Sequence, residues 1–210
     1  MNLTFPRRGA PFVALAALAL AVAGCSLSRP DPVKATFLLE PAMPAPVAVA
    51  ARAPSLKVNI VTVAAPFRDR AFVYRVGELR YETDYYHTFF AAPGVNIAET
   101  TARALAAAGV FERVLPPGSG AGELLLDGFV SALYVDARDP NAPAAELAVT
   151  WYLSRIDEPP GAVRWSKSYS RREPLDGAGA DAAARAWNRA LTSMLAELAR
   201  DLVHAVPQTR

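Results

Sequence analysis

Residues suited to catalysis are sparse in this sequence of 210 residues, which contains only two histidines. His87 ends a short run that starts at Asp84, where an imidazole could act as a general base or a metal ligand. No second His or Cys lies nearby in the sequence to complete a metal site or a nucleophilic pair. His204 is expected near the end of a helix, beside its terminal carbonyl groups. We therefore predict no catalytic residue, no metal site and no enzymatic activity.

The first 24 residues have the three-part layout of a secretory signal peptide. Arg7 and Arg8 precede an apolar run from Phe12 to Ala21, and small residues follow. The apolar run is shorter than the about 20 residues that a helix needs to span a bilayer. Removal of this leader lowers Lys+Arg from 22 to 20, against 20 Asp+Glu. The mature protein is then neutral, which removes the usual electrostatic basis for binding nucleic acid.

The single cysteine, Cys25, is the residue with the most distinctive chemistry. It ends the string VAGC, which resembles a bacterial lipobox, in which the cysteine thiol accepts a diacylglyceryl group. We expect cleavage between Gly24 and Cys25, and diacylglyceryl and N-acyl lipid on Cys25 as the only attached groups, with no cofactor. The alternative is a leftover cysteine inside an ordinary signal peptide. Because Ser26 rather than Asp follows Cys25, the expected location is the periplasmic face of the outer membrane.

Proline is frequent after the cysteine, with six prolines between Ser26 and Pro54. This composition predicts an extended tether over residues 25–54, interrupted by one short strand at Ala35–Leu39. The stretch from Pro41 to Pro54 would be a spacer of at most about 40 Å. The folded domain is predicted over residues 55–206.

The folded part shows mainly strand-like periodicity, with one helix near its middle and one at its end. The helices are predicted from Gly94 to Gly109 and from about Gly179 to Val206. Short connections between the later strands favour antiparallel pairing. The sequence therefore predicts an α/β sandwich, with a mixed, mostly antiparallel sheet and two main helices packed on one face. The strands are predicted at Leu56–Val63, Phe72–Val76, Leu79–Glu82, Val110–Leu115, Leu124–Val135, Glu146–Ile156 and Val163–Arg171.

Aromatic and basic residues concentrate before the first helix, in a region predicted as a loop after a small hairpin. Exposed aromatic side chains on loops can anchor a partner, although such residues can equally form the lid of a core. The arginines on either side of Asp69 are either surface charges or part of an interface. The candidate partner-binding residues are Arg68, Arg70, Tyr85, Tyr86, Phe89 and Phe90.

Short strings in a fixed order along the chain carry a family resemblance. They are Thr36–Glu40, Pro66–Arg70, Val73–Arg75, Leu79–Tyr81, Ala108–Phe111, Leu126–Gly128, Trp165 and Tyr169. Over roughly residues 33–205 the chain resembles the ABC-type transport auxiliary lipoprotein family, the PqiC-like lipoproteins. Many members carry an Arg-Trp dipeptide before the first helix, whereas this chain has Thr83–His87 there. The contacts of that tryptophan either fall to Tyr85 or Tyr86 or are absent.

The resemblance implies a non-enzymatic outer-membrane lipoprotein that serves an MCE-type ABC transport system moving lipids between the inner and outer membranes. Its implied partners are an MCE-domain protein and an inner-membrane ABC permease and ATPase, and its implied assembly is a homo-oligomeric ring. One alternative is a lipoprotein of another envelope assembly, for secretion, pilus formation or lipopolysaccharide assembly. Another is an anchored envelope hydrolase that uses His87 or a carboxylate pair among Glu78, Glu82 and Asp84.

Overall fold

Nine strands and two long helices form the fold in this computed structural model, which describes residues 33–159 and 161–206. The helices are α1 (Pro93–Ala108) and α2 (Gly179–Ala205). A short 3-10 helix at Ala65–Phe67 precedes the fourth strand. The strands are β1 (Ala35–Phe37), β2 (Leu56–Val58), β3 (Thr62–Val63), β4 (Ala71–Arg75), β5 (Tyr81–Phe89), β6 (Val114–Leu115), β7 (Leu124–Asp136), β8 (Ala144–Arg155) and β9 (Trp165–Pro174).

The long strand β7 organises the sheet. On one side it pairs antiparallel with β8 along its whole length, and β8 pairs antiparallel with β9. On its other side β2, β3 and β4 pair parallel with successive parts of β7. β6 pairs parallel with β2. Beyond β4 the sheet continues with antiparallel β5 and then parallel β1. The long ladders are antiparallel and the parallel pairings are short, which confirms the predicted mixed sheet.

The core lies between this sheet and the two helices. Alternate residues of β7, such as Leu124, Leu126 and Val130, are buried, as expected for a sheet with one covered face. The apolar stripe of α2 is buried in the same core, where Trp187 meets the ring of Phe72 edge-on at 4.8 Å. The two helices contact each other as well as the sheet. This arrangement confirms the predicted α/β sandwich.

Three predicted strands differ substantially from the observed ones, whereas the ends of the other predicted strands shift by about one to three residues. The predicted strand Leu56–Val63 is interrupted, because Val61 donates its backbone N–H to the carbonyl of Gly94 in α1 rather than to a neighbouring strand. The predicted strand Val110–Leu115 is reduced to β6 and an isolated parallel bridge between Phe111 and Ala53, whose N–H donates to the Val110 carbonyl and whose carbonyl accepts from the Glu112 N–H. The predicted strand Leu79–Glu82 is instead the nine-residue β5. Pairing with both β4 and β1 explains its greater length.

The proline-rich segment, residues 38–54, lies along the helices. Leu39 is buried, its N–H donates to Asn96 Oδ1 at 2.9 Å, and Asn96 Nδ2 donates to its carbonyl at 3.2 Å. Further along, Ala42 N–H donates to Thr192 Oγ1 at 3.0 Å, and Val47 N–H donates to the Ala108 carbonyl at 2.9 Å. The prediction of a free spacer over Pro41–Pro54 is therefore wrong, and the folded domain begins before residue 55. Proline lacks an N–H, so a few helix side chains and carbonyls can satisfy many of the donors that the segment has.

We expect Asn96→Ala to release the proline-rich segment from α1. The change removes both hydrogen bonds to Leu39 and leaves the buried N–H of Leu39 without its acceptor, which costs about 1–3 kcal/mol. Hydrogen exchange followed by mass spectrometry should show faster exchange in residues 38–54, together with a lower free energy of unfolding. The control is Asn141→Ala in the exposed β7–β8 loop. Equal exchange of residues 38–54 in the two variants would contradict this role of Asn96.

We expect Gly128→Ala to destabilise the protein by about 1–3 kcal/mol through overpacking. A Cβ at Gly128 would lie 2.6 Å from the ring of Trp151 and 2.9 Å from Val61 Cγ2. Because Trp151 is buried, its ring has little room to move. Urea unfolding measures the change, and the control is Gly120→Ala, where a Cβ meets nothing within 4 Å. Similar stabilities of the two variants would contradict this packing.

Candidate binding surface at the edge of the sheet

An open cavity of about 420 Å³ lies where β1 meets β5, at one edge of the sheet. We call the residues that line this cavity, together with the neighbouring Phe90, the edge surface. The charged residues among those lining the cavity are Lys34 and Arg70, and both are cationic. Hydroxyl groups supply most of the remaining polarity. The complete lining is Lys34, Ala35, Thr36, Arg70, Tyr85, Tyr86 and Thr88.

The structure brings together only part of the predicted set of partner-binding residues. Arg70, Tyr85 and Tyr86 line the cavity, and Phe90 lies beside it, with its N–H donating to the Phe37 carbonyl at 2.7 Å. The exposed Arg68 follows the 3-10 helix and does not line the cavity.

Phe89 is a core residue, so its prediction as a partner-binding residue is wrong. Its ring is 2% exposed and lies 4.6 Å from Phe72 and 5.4 Å from Trp187. Along a strand, successive side chains point to opposite faces, so neighbouring aromatic residues have different environments. The predicted loop obscured this alternation, which separates the buried Phe89 from the adjacent Phe90, 66% exposed.

Lys34 contacts Tyr85 of β5 in two ways, and Tyr85 in turn contacts Tyr86. The ammonium group of Lys34 donates to the Tyr85 hydroxyl at 3.2 Å, and it lies 4.3 Å from the centroid of the same ring. The ring of Tyr86 meets that of Tyr85 edge-on at 5.2 Å. Sequence reasoning missed Lys34 because its position beside Tyr85 depends on the pairing of β1 with β5, 51 residues apart.

Asp84 fixes the backbone of β5 beneath the tyrosines. Its Oδ1 accepts hydrogen bonds from the N–H groups of Tyr86 at 2.8 Å and His87 at 3.1 Å, and its Oδ2 lies 2.7 Å from His87 Nδ1. Burial alone would raise the pKa of Asp84, but these hydrogen bonds outweigh it and hold the pKa below its usual range. Burial, followed by the charge of Asp84 and a hydrogen bond to it, raises the pKa of Tyr74 to about 12. Asp84 is therefore ionised at neutral pH and holds this part of the strand in shape.

The Asp84–His87 pair resembles two members of a catalytic triad, but the third member is not in place. Among residues 33–159 and 161–206, no hydroxyl or thiol forms a hydrogen bond with the other ring nitrogen of His87. In the same ranges, no group of three His, Cys, Asp or Glu side chains could hold a metal ion. The geometry instead offers two cations, several hydroxyls and exposed rings, which suit the binding of an anionic or amphipathic ligand.

We expect Asp84→Asn to lower the free energy of unfolding by about 1–3 kcal/mol at pH 7, because the carboxylate is a stronger acceptor than an amide. Since folding lowers the pKa of Asp84, its stabilisation is present above the pKa of an unfolded aspartate, about 3.9, and is lost as pH falls through the folded value. The difference in the free energy of unfolding between wild type and Asp84→Asn should therefore shrink below about pH 4.

Urea unfolding at pH 7, 5 and 3 tests this pH dependence. The exposed Asp69→Asn, which lies close to the same surface, is the control and should change stability little at any of these pH values. A difference in the free energy of unfolding between wild type and Asp84→Asn that stays constant with pH would contradict the role of the ionised carboxylate.

The cationic and aromatic residues of the edge surface gather where β1 pairs with β5, at one edge of the sheet. A family model described as the ABC-type transport auxiliary lipoprotein component matches residues 37–199. The chain belongs to this family, which confirms the resemblance seen in the sequence. The match begins within β1, in agreement with a domain that includes the proline-rich segment.

Solved structures show the same fold. Protein XCC0632 from Xanthomonas campestris, of the family DUF330, aligns with a TM-score of 0.72 and 15% identity, covering 81% of this chain and 95% of that one. A crystal structure of an uncharacterized protein aligns with a TM-score of 0.57 and 12% identity, covering 77% and 99%. The PelC dodecamer from Paraburkholderia phytofirmans aligns with 16% identity, covering 71% of this chain and 91% of that one. Its TM-score is only 0.41. No curated protein matches the chain significantly.

The predicted signal peptide and the predicted cleavage and lipidation residues, Gly24 and Cys25, lie outside the described residues. Within the described ranges, no helix has the length and apolar character needed to cross a membrane.

Proposed function

We propose that this chain is a non-enzymatic lipoprotein of the outer membrane and an auxiliary component of an MCE-type ABC transport system that moves lipids between the inner and outer membranes. The family match over residues 37–199 carries this proposal. The string VAGC at residues 22–25 supports lipidation at Cys25, with diacylglyceryl and N-acyl groups as the anchor. Several acyl chains, each methylene contributing about 0.8 kcal/mol, hold a protein on a bilayer without a membrane-spanning helix.

The packed proline-rich segment changes how far the domain can stand from its anchor. Residues 38–54 lie on the helices, so only eight residues, 26–33, separate Cys25 from Lys34. Fully extended, the nine Cα-to-Cα steps from Cys25 to Lys34 span at most about 30 Å. The domain therefore stays close to the outer membrane, and the proposed MCE-domain protein would approach it there, with the ABC permease and ATPase in the inner membrane.

Two strand edges support the proposal of a homo-oligomer. Among the described residues, β9 pairs only with β8, and β6 pairs only with β2, and neither strand contributes to the edge surface. An unpaired strand edge is a template for pairing with another chain. Because these two edges differ, contact between them would be heterologous and could close into a ring.

Crosslinking followed by affinity purification tests the transport role. The tagged, lipidated protein is purified from membranes in mild detergent after brief crosslinking, and its partners are identified by mass spectrometry. We expect an MCE-domain protein together with its permease and ATPase. Recovery of secretion, pilus or lipopolysaccharide-assembly components without them would assign the protein to another envelope machine. Turnover of lipid esters or peptidoglycan by the purified protein would overturn its non-enzymatic role.

We expect Cys25→Ala to abolish palmitate labelling and to remove the protein from the outer-membrane fraction, because the acyl acceptor is lost. Metabolic labelling and sucrose-gradient fractionation measure the two effects. Ser26→Ala is the matched control, and it should keep both the label and the outer-membrane location. Persistence of Cys25→Ala in the outer-membrane fraction would contradict lipid anchoring through this residue.

A further inference from the structure

We propose that the edge surface faces the bilayer and binds phospholipid headgroups in the membrane that holds the protein's own anchor. In this arrangement Lys34 and Arg70 bind lipid phosphate, while Tyr85 and Phe90 enter the interfacial layer. The inference rests on the proposed lipidation of Cys25 but is independent of the transport partners. It gives the edge surface a lipid ligand in place of the protein partner that the sequence suggested.

The covalent chain brings this surface to the membrane. Lys34 lines the cavity and lies only nine residues after Cys25, which limits their separation to about 30 Å. β1 begins at the next residue and runs along the same edge of the sheet. The anchor therefore keeps Lys34, and the edge surface with it, within reach of the bilayer.

The charge and geometry of the cavity suit a phosphate group. The Nε of Arg70 donates to the Phe89 carbonyl at 2.7 Å, which holds its guanidinium group at the cavity. Lys34 is held by the ring and hydroxyl of Tyr85. Asp84 and Asp69 are the nearest acidic residues along the chain to Tyr85 and Arg70, and neither lines the cavity. Arginine and lysine are the usual side chains that bind phosphate oxygens.

The exposed rings on the same edge suit the membrane interface. Phe90 is 66% exposed and Tyr85 is 71% exposed, so both present large apolar areas to water. Tyrosine concentrates where a bilayer meets water, because its ring is apolar and its hydroxyl stays hydrated. Basic residues beside such rings add attraction to anionic lipids. A second copy of the chain or a protein could also cover these rings, but neither explains why they lie beside the entry point of the anchored chain.

A fluorescent label near the edge surface can test contact with the bilayer. Cys25 is the only cysteine, and its thiol is blocked once it is lipidated, so an introduced cysteine is the single free thiol. Ala92→Cys places the label two residues after Phe90 and preserves both rings. Ile156→Cys is the control, since Ile156 is 53% exposed and lies toward the other end of the sheet. The N–H of Ile156 donates to the carbonyl of Glu123, just before β7, whereas β4, the neighbour of β5, pairs with the last residues of β7.

The lipidated, processed full-length protein is reconstituted into vesicles of phosphatidylethanolamine, with or without phosphatidylglycerol, and labelled with an environment-sensitive dye. We expect blue-shifted emission at position 92 and at least threefold stronger quenching by spin-labelled lipid than at position 156. Phosphatidylglycerol should strengthen the effect. The double variant Lys34→Glu, Arg70→Glu should reduce quenching at least threefold, whereas Arg113→Glu, Arg200→Glu, with the same change in charge at other exposed sites, should preserve it.

Equal, water-like emission at positions 92 and 156 would overturn the inference. A blue shift without lipid quenching that grows with protein density would overturn it in favour of contact between copies. Quenching that survives Lys34→Glu, Arg70→Glu would contradict headgroup binding by these cations. Mass spectrometry of the Cys25 peptide distinguishes a failure of lipid anchoring from a failure of the edge surface to contact the bilayer. Absence of lipid there refutes the anchoring and this inference with it, whereas water-like emission from a lipidated protein refutes this inference alone.

Discussion

The hydrogen-bonding requirement of β7 governs the rest of the structure. A central strand of 13 residues must satisfy backbone groups on both sides, because unpaired N–H and C=O groups are costly when buried. β8 pairs with one side along the strand except at a bulge around Ser131, whereas three short parallel strands from the N-terminal half share the other. This division fixes the position of each short strand. β4 pairs with the end of β7, and it carries β5 and β1 outward to form the edge at which the cationic and aromatic residues meet.

The proline-rich segment shows why composition alone is an ambiguous guide to a tether. Its residues have the makeup of an extended linker, yet helix side chains and a helix carbonyl accept several of its N–H groups, and Leu39 enters the core. The functional consequence is a short link to the proposed lipid anchor. A shorter link restricts how far the domain can move from its anchor, whereas a longer spacer would allow it a wider range of positions.

The chemistry of the edge surface follows from how Asp84 is used. A carboxylate beside a histidine suggests catalysis, but this one accepts two backbone N–H groups and holds the strand that displays Tyr85 and Tyr86. Its lowered pKa reflects that structural role, since hydrogen bonds to the charged form outweigh the effect of burial. Perturbed pKa values occur at functional sites but also in structural hydrogen-bond networks, and Asp84 belongs to such a network. The proposed role of the strand that it holds is binding.

The sequence by itself determined the class of fold, the helices, the long strands of the C-terminal half and the family, because periodicity and turn residues act locally. It also identified Arg70, Tyr85, Tyr86 and Phe90 as candidates for binding. Only the tertiary structure placed Phe89 in the core, brought Lys34 to Tyr85 and packed the proline-rich segment on the helices. Each of these depends on partners far apart in the chain, such as Leu39 with Asn96, separated by 57 residues. A local pattern indicates which backbone groups need partners, whereas the folded chain decides which distant residues supply them.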